Sequence, residues 1–168
     1  DQFQKGYTMP GTRLEAGFSF PIVENLSVRT GGNVVKYFGD PDSTLLIPLL
    51  RIKWEIASRS SVIIGSLPDA LNLSLPDFMI RHEPFLTKPR NEGLALMYNG
   101  RKLQACAWFE SEQYIHRGSL YPEHLFGASN WNWQFWERKD FQLYLNTGFT
   151  VGHHGGQIYF SNTRIMTI

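Results

Sequence analysis

With one cysteine, Cys106, the chain can form no internal disulfide and no cysteine-built zinc cluster, and a small half-buried strand position is the plainest role for that residue. Charge is scarce too. Asp, Glu, Lys and Arg make up 18% of the 168 residues, the net charge is +1 and the basic residues are scattered, so no nucleic-acid partner is expected. There is no apolar run of about 18 residues, which excludes a transmembrane helix but not a membrane barrel, whose strands carry only alternation. GxSxG, Walker, GxGxxG and HExxH motifs are all missing, so no catalytic residue, metal ligand set or cofactor is assigned. No leader precedes Asp1 and residues 164–168 stop inside a strand pattern, so the chain reads as processed or as a piece of something longer.

What is present is aromatic side chains, at 14%, and long alternation. In residues 141–151, Phe141, Leu143, Leu145, Thr147, Phe149 and Val151 share one parity, while Gln142, Tyr144, Asn146, Gly148 and Thr150 share the other. Successive strand side chains point to opposite faces, so this is one strand with an apolar and a polar, small-residue face. Its length matters more than its pattern. Strands of soluble domains average about 5–6 residues, whereas a tilted strand needs about 9–11 to cross a bilayer. The same pattern recurs over residues 12–22, 26–38 and 45–58, then more briefly over 62–67, 93–98, 102–110 and 126–137. Asn99-Gly100 suits a type I′ hairpin turn, and Pro48 implies a bulge or a late strand start. Residues 68–92 and 111–125 lack a sustained period and read as long loops, with one helical turn near Leu71. The expected fold is therefore all-β: an antiparallel up-and-down transmembrane β-barrel, or a partial barrel of about eight strands, forming a single domain over residues 1–168.

On the polar faces lie Arg13, Glu15, Arg29, Arg51, Lys53, Glu55 and Glu110, which would face the lumen of a barrel. His82, His116, Glu123 and His124 fall in the loops and are candidates for ligand binding. His153 and His154 point to opposite faces if the strand continues, so they do not chelate one ion, and Gly155-Gly156 marks a turn at the strand end. Trp131, Trp133 and Trp136 fit an aromatic girdle, or alternatively a sugar-stacking platform, with strict alternation placing Trp136 on the face opposite the other two.

Several patches in order, YTMPGTRL (residues 7–14), KYFGD (36–40), LLIPLLRIKW (45–54), FGAS (126–129) and HHGGQI (153–158), resemble a poorly characterised family of outer-membrane β-barrel proteins from Bacteroidota. That resemblance implies a bacterial outer-membrane location, a lipid bilayer partner and a longer barrel of which this chain is an interior part. It supplies no catalytic residues. The sequence reading is thus a non-enzymatic pore, ligand-uptake or surface-assembly component, with other outer-membrane subunits and an unidentified small-molecule or glycan ligand as partners. The alternative is a soluble β-sandwich that binds carbohydrate through Trp131, Trp133 and Trp136. A hydrolase using Glu123, His124 or His154 ranks behind both.

Overall fold

The computed structural model describes residues 10–39, 44–69, 71, 74–76, 79, 91–115 and 122–155. Eight strands follow one another as β1 (Gly11–Val23), β2 (Leu26–Tyr37), β3 (Thr44–Ala57), β4 (Ser60–Ser66), β5 (Glu92–Asn99), β6 (Leu103–Gln113), β7 (Glu123–Arg138) and β8 (Phe141–Gly155). They form one antiparallel sheet in chain order, so the expected all-β up-and-down architecture is the observed one. Among the described residues β1 and β8 are the free edges and do not pair with each other. No described helix is long and apolar enough to cross a membrane.

The register carries the alternation across the whole sheet. Phe20, Val28, Ile52, Ile64, Leu94, Phe109, Gly127 and Val151 form one continuous cross-strand row. This outer face is apolar and uncovered: Phe18 is 71% and Leu46 77% exposed. Contiguous apolar surface on that scale is foreign to a water-facing sheet. A sandwich needs a second sheet over it, and the described residues form only one.

The opposite, inner face is filled. Leu67, Leu71 and Leu75, from the connection after β4, bury themselves against Ile63, Ala95, Trp108, Phe126 and Ala128. The segment is tied down by polar contacts as well as by packing. Asn130 Nδ2 donates to the Ser74 carbonyl at 2.5 Å, Ser74 Oγ to the Leu71 carbonyl at 2.6 Å, and Leu67 N–H to the Asn91 carbonyl at 2.8 Å.

Three local expectations change. Strand β3 runs straight through Pro48, which pairs with Gly32 without a register shift. The Leu50 N–H points to the β4 side, where it donates to Ser66 Oγ, so Pro48, two residues earlier, turns its missing N–H to the same side beyond the end of β4. A ladder bond is not lost there. Asn99 stays in β5, and neither it nor Gly100 has the positive φ that a type I′ turn demands; Gly100 N–H instead donates to Leu103 O at 2.8 Å. Finally, a bulge between Gln134 and Trp136 brings Trp136 opposite Leu143, returning it to the apolar face.

Candidate functional site

Tight turns gather at one end of the sheet (residues 24–25, 58–59, 100–102 and 139–140), and the longer connections (38–43, 67–91 and 114–122) at the other. The functional candidates divide between the two ends and the wall.

At the long-connection end, β7 begins at Glu123 and β8 continues through Gly155, so His124 and His154 come into register as a cross-strand pair. Their rings meet edge to face with centroids 4.3 Å apart. Glu123 lies opposite Gly155, and Phe126, two residues on from His124, is buried in the inner-face core, which places His124 and His154 on that inner face. His153 sits opposite Leu125 on the outer face. Alternation thus separates His153 from His154, as the sequence implies, but the partner of His154 is a histidine more than two dozen residues away in the chain, which no local spacing announces. Strand β8 ends at Gly155, and Gly156, the second residue of the expected turn, lies outside the described residues. His82 and His116 lie outside the described residues. Among the described residues no group of three or more His, Cys, Asp or Glu side chains is arranged to hold a metal ion.

Along the wall, Arg13, Glu15, Arg29, Arg51, Lys53, Glu55 and Glu110 all share the inner-face parity. The structure joins several of them. Arg29 Nη2 meets Glu15 Oε1 at 2.7 Å, Arg13 Nη1 meets Asp69 Oδ2 at 2.9 Å and Nη2 meets Glu15 Oε2 at 3.6 Å, and Lys53 Nζ meets Glu55 Oε1 at 2.9 Å. Arg51 Nε donates to the Ser66 carbonyl at 2.6 Å. Arg13, Glu15, Arg51 and Asp69 border a small cavity of about 180 Å³ beneath Leu67 and Pro68. Glu110 stands apart from this group, 2% exposed between Gly93 and Phe126. The tryptophans Trp131, Trp133 and Trp136 are about half exposed and pair with Thr147, Leu145 and Leu143 on the outer face, away from every inner cavity.

Long antiparallel strands in up-and-down order, apolar outside and filled inside, are the class of a β-barrel wall. The family model described as lipid A 3′-O-deacylase-type matches residues 1–168, and the chain belongs to that family. Comparisons with curated proteins and with solved structures give no match.

That membership overturns three expectations. The family is a deacylase type rather than the poorly characterised Bacteroidota barrel family suggested by the short patches. A deacylase is a hydrolase, so the non-enzymatic reading is replaced, and with it the pore, uptake or assembly role. The physical reason lies in the signal used. Alternation reports which face meets lipid and is the same in a pore and in an enzyme built on the same wall, while the usual hydrolase motifs belong to other folds.

Proposed function

We propose that this chain is an outer-membrane hydrolase that removes an ester-linked acyl chain from the 3′ position of lipid A. The observation that carries this reading is the match of the family model over the full length of the chain. Lipid A is a lipid of the bacterial outer membrane, so the substrate supplies the membrane partner, and the bare apolar face, with Phe18, Leu46 and Leu50 all more than half exposed, suits strands that cross that membrane.

The candidate for the chemistry is the histidine pair. In barrels the longer connections lie on the outer side, where His124 and His154 would stand beside the leaflet that holds the substrate. A neutral imidazole there takes a proton from an attacking water as it adds to the ester carbonyl, then returns it to the departing sugar oxygen; the products are a free carboxylic acid and the sugar alcohol. Glu123, adjacent in sequence, shares the parity of Leu125 and so lies on the opposite face from the histidine pair.

The test is mass spectrometry of purified lipid A after incubation with detergent-solubilised protein. Loss of one ester-linked acyl chain is the expected result, falling by about 10²-fold or more in His124→Ala or His154→Ala, the scale of general-base catalysis. An inactive wild-type protein that is demonstrably folded would reject the deacylase reading. Full activity in both histidine variants would keep the reading and reject the site.

A further inference from the structure

We propose that the inner face holds a second binding site, at the tight-turn end, for a neutral polyhydroxylated ligand of monosaccharide size. Four amide residues, Asn99, Gln104, Asn132 and Asn146, form one unbroken cross-strand row through β5, β6, β7 and β8. All four border a cavity of about 300 Å³ that Pro68, Leu71 and Ser74 also line. That volume lies at the small end of the range for ligand pockets.

The chemistry of the lining selects the ligand. Among the described residues no charged side chain and no histidine borders the cavity; besides amides it has Ser74 and Cys106 and the apolar Pro68, Leu71, Met97 and Ala105. An ionic ligand would find no counter-charge among these described lining residues. Each amide offers both donors and an acceptor, as each hydroxyl of a sugar does, and neighbouring rungs stand about 4.8 Å apart, so the row presents alternating partners over about 14 Å. The apolar patch matches the C–H face of a pyranose ring. Asn130, in the next row, also borders the cavity. Asn130 is 8% exposed, its Nδ2 is committed to the Ser74 carbonyl, and its Oδ1 is buried with no donor among the described residues. That oxygen is shut off from solvent, so Asn130 meets the cavity through its other atoms.

The site is separate from the proposed reaction centre. His124 lies eight residues up β7 from Asn132, about 27 Å along the strand, so the inference does not rest on the deacylase reading. It also differs from a tryptophan platform, since Trp131 and Trp133 face the other way.

Saturation-transfer NMR on the detergent-solubilised full chain tests it, with D-glucose and N-acetyl-D-glucosamine as neutral probes and glucuronate and glucose 6-phosphate as charged ones. Saturable transfer to a neutral probe is expected, weakened about threefold or more by Gln104→Leu or Asn132→Leu, the scale of one net hydrogen bond. The near-isosteric Asn132→Asp, which keeps the shape of the wall and adds a charge, should weaken it as well. Trp131→Ala and His124→Ala should leave it unchanged. The proposal is overturned if no neutral probe shows saturable transfer, if charged probes bind as tightly, or if Trp131→Ala abolishes binding while the folded amide variants retain it.

Discussion

At the scale of single residues, the inner-face charges contribute less than their contacts suggest. Lys53 and Glu55 pair at 2.9 Å with side chains 44% and 57% exposed, and pairs so open to solvent are worth about 0–1 kcal/mol. Burial and backbone geometry weigh more. Gly65 has φ +94°, and a Cβ there would run into the Leu50 carbonyl oxygen of the adjacent strand. Gly65→Ala should therefore cost about 2–4 kcal/mol, from the left-handed backbone and the clash together, read as a lowered denaturation midpoint in a refolding titration. On the outer face Leu50 is 57% exposed at the middle of β3. Leu50→Arg should destabilise the protein by about 2–4 kcal/mol in lipid while Leu50→Phe is tolerated; equal tolerance of both would reject a lipid-facing position.

At the scale of elements, the decisive feature is the described part of the connection after β4, whose Leu67, Leu71 and Leu75 pack onto the sheet. Leu75, 4% exposed, is the clearest probe, since it packs in the cluster that includes Trp108 and Ala128. Leu75→Ala should cost about 2–5 kcal/mol, the range for truncating a buried leucine, and a shift in the unfolding midpoint measures it. If the segment were only a surface loop, the change would be under about 0.5 kcal/mol. The same inward fold explains why a lumen reading of the polar residues was incomplete. Periodicity places Arg13, Arg51 and Glu110 on one face, but a leucine-rich connection sharing that face has no period of its own to declare where it goes.

At the scale of the whole molecule, the edges dominate. Among the described residues β1 and β8, of 13 and 15 residues, are the outermost strands of the sheet, and in hydrocarbon each unsatisfied backbone group costs several kcal/mol. In the membrane these edges must be paired. A closed barrel of the native protein should therefore resist SDS until heated: an unboiled sample should migrate differently from a boiled one on a gel, and identical mobility would count against closure.

The sequence by itself determined the strands, their faces and their order. Alternation with period two is a local property, and long runs such as residues 141–151 carry enough of it to separate a bilayer-length strand from an ordinary one. Its failures were local as well: the bulge that turns Trp136 back to the apolar face and the strand-bound Asn99 depend on how neighbours pair, which no single strand encodes. Only the tertiary structure decided what meets what. It set His124 against His154, joined Asn99, Gln104, Asn132 and Asn146 into one row, and laid Leu71 and Leu75 over Trp108. The reason is physical: register across strands and the path of a connection are fixed by packing between segments distant in the chain, so sites assembled from them leave no spacing to read.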